Sequence, residues 1–286
     1  MTKQLSPSAQ KIIRGYLGLP FANVTGVCCP YFNNAKLGQR GQLKVLIGKG
    51  SPEEIVEEAK IISIQYCKGL FDKNGLCDIH SDHPAPHEQA ECVRQFLVDS
   101  NLGVDCSGFV TNVLRAHFIE TKKVDLAKKL FIAPTKNLLR RIIARLRPVE
   151  QINVDVLAND KNAMIINDLR MIQPADLIIM LKTGPNKNHN HVLLITETDG
   201  EIIKYAHARA WSSEGKYGHG VSEGVITITN QNQGLLAQTW EEKNNVNENN
   251  ETYLEAKQAE TLEIRRLNLS SSPQRGSRQP DTGFPL

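Results

Sequence analysis

The sequence predicts an α+β fold, and three observations predict it. Helical signals dominate the first half of the chain, the clearest being Ser51-Pro52-Glu53-Glu54. Segments rich in β-branched and aliphatic residues crowd between Ala175 and Thr229. The 286 residues are 40% apolar and 23% charged, enough to bury one sizeable core. Runs of helices followed by runs of strands are the pattern of an α+β domain.

The elements follow in order. Lys11 to Leu17 reads as a short helix, and Leu43 to Ile47 as a short strand. Ser51 caps a helix, Pro52 takes its first position, and Glu54 completes a capping box. That helix is expected to reach about Cys67, with Ile55, Ala59, Ile62 and Tyr66 on one face. A short helix is expected near Glu88 to Val98, another from Asp105 to about His117, and a basic one from Thr135 to Arg147. Ala175 to Leu181, His191 to Thr198, Glu201 to Ala208 and Gly224 to Thr229 read as strands, with Thr261 to Leu267 as one more. Glu241 to Glu251, dominated by Glu and Asn, reads as a loop. Residues 270–286 have the composition of a disordered tail. The expected organisation is an N-terminal region over 1–50, a catalytic domain over 51–269 and that tail.

Charge is unevenly spread. The 34 basic and 31 acidic residues give +3, which excludes a globally basic nucleic-acid coat. Between Lys122 and Arg147, however, nine basic residues face one acid, so this insert carries +8 and the remainder −5. The insert (120–150) is a candidate surface for an anionic polymer; nucleic acid is not the expected partner. No apolar run reaches the roughly 18 residues that span a bilayer. Met1 to Ser8 lacks the apolar stretch of a secretory signal, which makes the cytoplasm the default location and delivery to the cell wall a separate route.

Of the six cysteines, Cys106 stands out. In Val104-Asp105-Cys106-Ser107-Gly108-Phe109-Val110 it occupies the first turn of an expected helix. Unpaired N–H groups and the helix dipole there favour a thiolate, and the same N–H groups can hold an oxyanion. Such a nucleophile needs a base and a group that orients the base. Two histidines supply them. His191 to Thr198 and Glu201 to Ala208 form a hairpin around Asp199-Gly200. A two-residue turn would send His191 and His207 to opposite faces. A three-residue Thr198-Asp199-Gly200 loop with a bulge sets them directly opposite each other on one face, and this is the expected register.

Four segments then resemble the NlpC-type cysteine peptidases, papain-like bacterial cell-wall endopeptidases. Asp105 to Val110 is similar to the nucleophile motif. Gln173 to Ile179 is similar to the PGDL strand, with Ala175 in place of Gly. His191 to Ile195 is similar to the HVGIY strand, and Tyr205 to Ala208 to the segment of the third residue. The resemblance spans about residues 55–230. It implies a papain-like fold, a nucleophile helix packed on an antiparallel sheet of about five strands, enlarged by the helical basic insert. It implies Cys106 as nucleophile, His191 as base and acid, and His207 as orienting residue. The implied activity is hydrolysis of amide bonds in peptidoglycan stem peptides or a related peptide. Acyl transfer or amidase chemistry on the same superfold, and a non-catalytic module for anionic polymers, are the alternatives. Asp105, Ser107 and Tyr66 are the expected substrate-binding residues; Tyr66 stands in for a tyrosine that the family carries just before the nucleophile. His219 and Tyr217, in a Gly-rich loop, are expected to border the cleft.

Cys77, His80, His83, His87 and Cys92 gather five possible metal ligands in sixteen residues, but their spacing matches no standard zinc knuckle, and no metal or cofactor is assigned. Lys44 to Gly50 (KVLIGKG) hints at a phosphate loop without completing the pattern.

Overall fold

The structure, a computed structural model, describes residues 2–33, 44–66, 70–72, 74–77, 86–133 and 146–269. Among these it is α+β, with seven α-helices and nine strands in one open antiparallel sheet. The strands are β1 (Lys3–Gln4), β2 (Ala163–Ile165), β3 (Leu177–Thr183), β4 (His189–Thr198), β5 (Ile202–Arg209), β6 (Gly220–Thr227), β7 (Thr239–Glu242), β8 (Asn245–Val246) and β9 (Thr261–Leu267). Their order is β2-β9-β3-β4-β5-β6-β7-β8, with β1 pairing β4 beyond the end of β3. The five long strands are β3, β4, β5, β6 and β9; the rest have four residues or fewer.

The helices are α1 (Pro7–Leu17), α2 (Pro52–Gln65), α3 (Pro86–Asp99), α4 (Cys106–Lys122), α5 (Val154–Leu157), α6 (Gly215–Gly218) and α7 (Glu251–Gln258). The α2 capping box is present: Ser51 Oγ accepts from the Glu54 N–H, and Glu54 accepts from the Ser51 N–H. In α4, Asp105 is the cap and accepts from the Gly108 N–H at 2.6 Å. The expected basic helix lies outside the described residues.

Strand alternation divides the core between the two sheet faces. Leu177, Ile179, Val192, Leu194, Ala206 and Ala208 share one apolar cluster with Phe109, Val110, Val113 and Leu114 of α4 and with α1. Ile178, Met180, Leu193, Ile195, Ile203 and Tyr205 share the other with Trp240 and with Tyr253 and Ala256 of α7. The sheet is thus a layer between α1/α4 and α7. Each face buries several large aliphatic side chains, every one worth about 1.5–3 kcal/mol of transfer free energy.

Several expectations are corrected. Lys44–Ile47 is a 3-10 turn, not a strand. The Glu/Asn-rich segment expected as a loop contains the end of β7, all of β8 and the start of α7. Trp240, just before that segment in β7, is fully buried, and that burial anchors β7 in the sheet. The N-terminal region belongs to the main core: Leu5, Ala9, Ile13 and Tyr16 are buried in the α4-side cluster.

The hairpin register also differs. Thr198 pairs with Ile203, leaving the four-residue loop Asp199 to Ile202. Asp199 Oδ1 accepts from the N–H groups of Glu201 and Ile202, an Asx turn that sets this length, and Gly200 takes φ +102°. This pairing alone would put His191 and His207 on opposite faces. A bulge at Thr196 corrects it. Ile195 pairs with Tyr205 and Glu197 with Lys204, so Thr196 is the extra residue. Continued past the bulge, the register brings His191 and His207 to one face as diagonal neighbours rather than direct opposites.

Candidate active site

Cys106 is held by what precedes it. Val104 bridges to both Tyr31 and Lys49, its N–H donates to Pro30 O at 3.0 Å, and the Asp105 N–H donates to Gly48 O at 2.9 Å. The first turn of α4 therefore starts from a residue clamped between two N-terminal loops. Gly108 is required there, because a Cβ on it would run into Gly48 O. The Cys106 and Ser107 N–H groups lie in the first turn, where no intrahelical carbonyl reaches them. Cys106 is 6% exposed, and the Val192 N–H of β4 points at its sulfur. The nucleophile candidate thus lies one residue from His191.

His191 and His207 are both buried, and the His207 ring meets Tyr205 of the α7-side cluster edge to face. His191 Nε2 and His207 Nδ1 are 2.7 Å apart, and the rings meet edge to face. The chain does not stop at His207. Its Nε2 lies 3.1 Å from Glu242 Oε2. Glu242 is buried and also accepts from Tyr205 OH (3.1 Å), Arg209 Nε (2.7 Å) and Thr252 Oγ1 (2.9 Å). Arg209 in turn donates to Glu214 and stacks on Trp211. Burial would push the Glu242 carboxyl up, but His207 and Arg209 beside it hold it well below the usual carboxylate range. Ionised Glu242 only accepts, so His207 Nε2–H donates to it. With Nε2–H given to Glu242, His207 Nδ1 is placed to accept from His191 Nε2–H. That leaves the lone pair of His191 on Nδ1, the nitrogen a base needs.

Burial disfavours the charged form of both Cys106 and His191. Burial pushes the Cys106 thiol up to about 12, and the Asp105 carboxylate adds to the rise; Lys49 and the Val192 N–H oppose it. Burial lowers His191 to about 4, against the pull of Glu255. Among the described residues the His191 ring bonds to His207 and makes no hydrogen bond to Cys106.

The other expected site residues are placed differently. Asp105 and Ser107 point inward: Lys49 Nζ lies 2.8 Å from Asp105 Oδ1 and 2.5 Å from Ser107 Oγ, and Ser107 donates to Asp105 at 3.0 Å. Their side chains are committed to the helix cap and the lysine. Tyr66 ends α2 and is 66% exposed. The tyrosine whose hydroxyl feels Cys106 and Asp105 is Tyr31, whose ionisation burial and those two groups suppress. Tyr217 bonds to Asp99 of α3, while His219 O accepts from the Tyr31 N–H at 3.4 Å, so His219 joins the loop that carries Tyr31.

Sequence reasoning missed Glu242, Arg209, Tyr31, Lys49 and Glu255. Glu242 had a signal: it shares alternation phase with Trp240 in Thr239-Trp240-Glu241-Glu242, which marks a carboxylate turned inward. Glu255 of α7 accepts from Thr183 Oγ1 at 2.8 Å and reaches Cys106, His191 and Tyr31 electrostatically. Its proximity comes from packing α7 on β3, and no local pattern encodes it. Of the Cys/His-rich segment, Cys92 is a free thiol, and His80 and His83 lie outside the described residues. Among the described residues no group of three His, Cys, Asp or Glu is placed to hold a metal. Nor is any described helix long and apolar enough to cross a membrane.

Set against models of protein families, curated proteins and solved structures, the chain matches none.

Proposed function

We propose that this protein is a cysteine-type amide hydrolase. The observation that carries the reading is the hydrogen-bonded chain from His191 through His207 to Glu242, beginning one residue from the sulfur contact of Cys106. A lone buried histidine has no use for a second histidine and a carboxylate aligned behind it; a base that becomes imidazolium during turnover does.

The steps follow from these positions. Cys106 Sγ attacks the amide carbonyl while its proton passes to His191 Nδ1. The new S–C bond places the oxyanion near the Cys106 and Ser107 N–H groups. The C–N bond then breaks, and His191 gives the proton to the leaving amine. Water, deprotonated by the same nitrogen, cleaves the thioester, and the proton returns to the thiol. His207 and Glu242 stabilise the positive charge on His191 in both halves. The similarity of four segments to NlpC-type peptidases supports a peptidoglycan stem peptide or a related peptide amide as substrate.

The test is incubation with purified cell-wall fragments, with products identified by mass. The intact protein is expected to release peptides with a new amine and a new carboxyl group, and Cys106→Ala to release none. Turnover undiminished in Cys106→Ala sinks the proposal. Products that carry an added amine instead of water would make the enzyme a transferase working through the same thioester.

A further inference from the structure

We propose that Lys49 is the positioning residue of this site: its buried ammonium, bridging Asp105 and Ser107, cancels the carboxylate next to Cys106 and keeps the thiol able to lose its proton.

Lys49 is 5% exposed, an unusual place for an ammonium. Its Nζ lies 2.8 Å from both carboxylate oxygens of Asp105 and 2.5 Å from Ser107 Oγ. The backbone around it is built to that position. Gly48 takes φ +76°, and a Cβ there would collide with Phe32 O. Gly48 O accepts from the Asp105 N–H, and the Lys49 and Gly50 carbonyls accept from Asn112 Nδ2, at 3.2 Å each. The Gly48-Lys49-Gly50 segment is thus laced to the first two turns of α4, and the lysine cannot swing away without breaking that lacing.

The need for it is electrostatic. An aspartate caps the helix well, but it also sets a negative charge beside a thiol that must become negative itself. Among the described residues the groups acting on Cys106 come from several elements: Asp105 at its own cap, Lys49 from the N-terminal loop, Tyr31, the Val192 N–H from β4, and Glu255 from α7. Asp105 and Glu255 oppose the thiolate, and Lys49 is the cation among them that favours it. A cap made of Asp and Lys together keeps the helix terminus satisfied and takes the net charge of the cap to zero.

This inference rests on Cys106 as the nucleophile of the proposed hydrolase, but it is tested without substrate. The measurement is the rate of Cys106 alkylation by iodoacetamide in the folded, full-length chain between pH 7 and 9, read on the Cys106 peptide by mass. Lys49→Met is expected to slow it about tenfold or more at each pH, the size of a one-unit rise in pKa. Adding Asp105→Asn to that variant is expected to return the rate to within about twofold of the parent, because the unpaired carboxylate is gone while a cap acceptor remains. Unchanged alkylation in Lys49→Met, or no recovery in the double variant, overturns the inference. If Lys49→Met fails to fold, Asp105→Asn alone decides: with the lysine kept, alkylation should be faster than in the parent, and an equal or slower rate overturns the inference. Failure to hydrolyse cell-wall fragments would count against the hydrolase and leave these alkylation rates as they are.

Discussion

At the scale of single residues, Glu242 organises the site. It accepts hydrogen bonds from His207, Tyr205, Arg209 and Thr252 from within the core. Removing its charge while keeping its shape separates catalysis from packing. Glu242→Gln is expected to lower kcat by roughly 10²- to 10³-fold, with KM little changed, because the His191 imidazolium loses its distant counter-charge. It is also expected to cost about 3–5 kcal/mol of stability, since Arg209 is left without its buried partner. Steady-state kinetics and urea unfolding read the two effects; an unaltered kcat would remove Glu242 from the relay. None of this was legible around Cys106 itself. The sequence displays the nucleophile and both histidines because their segments carry local signals, the helix start and the strand alternation. Glu242 is 35 residues beyond His207 and joins it only through two further strand pairings.

At the scale of elements, the β4–β5 hairpin is where sequence reasoning came closest and still erred. Both strands are present near their expected limits, but turn length was misjudged because Asp199 closes an Asx turn that spans two more residues than the dipeptide suggests. The same-face placement of the histidines survives only because Thr196 is bulged. Its carbonyl accepts from the Leu5 N–H beside β1, and its hydroxyl donates to Lys204 O at 3.2 Å, so the extra residue is held from both sides. Deleting Thr196 is expected to remove the bulge yet keep the Glu197–Lys204 and Ile195–Tyr205 pairs, so that both histidines stay on one face and turnover persists. A folded deletion variant without activity would show that the bulge shapes the site by more than the pairing it sets. The strand before this hairpin shows a smaller strain: Ala175, where the resembled motif has Gly, stands at φ +75°. The neighbouring Asp176 is fully buried against Arg266 of β9, at 2.7 and 2.8 Å. That ion pair ties β3 to β9 where the strained residue enters the sheet.

At the scale of the molecule, the buried histidine couples the site to stability. His191 is lowered from 6.5 to about 4 in the folded chain, so below pH 6.5 the unfolded chain takes up a proton that the folded one refuses. Its contribution is present above pH 6.5 and is lost as pH falls towards 4, a total of about 3 kcal/mol from a shift of this size. Urea unfolding at pH 7, 5.5 and 4 should show this loss, and His191→Gln should flatten that part of the curve. A parent and variant with parallel pH dependence would refute the assignment. The sequence by itself determined the class of the fold, the long strands, the helix that starts at Cys106 and the hairpin that carries His191 and His207. Each of these is written in local periodicity, capping or turn chemistry, which neighbouring residues encode together. Only the tertiary structure decided the register of the hairpin, the fourth member of the relay, the lysine behind Asp105 and the tyrosine beside Cys106. The last three depend on contacts between residues 35 to 75 positions apart, and the register on a bulge whose carbonyl is held by the distant Leu5 N–H; such contacts are fixed by how the layers pack rather than by any short stretch of chain.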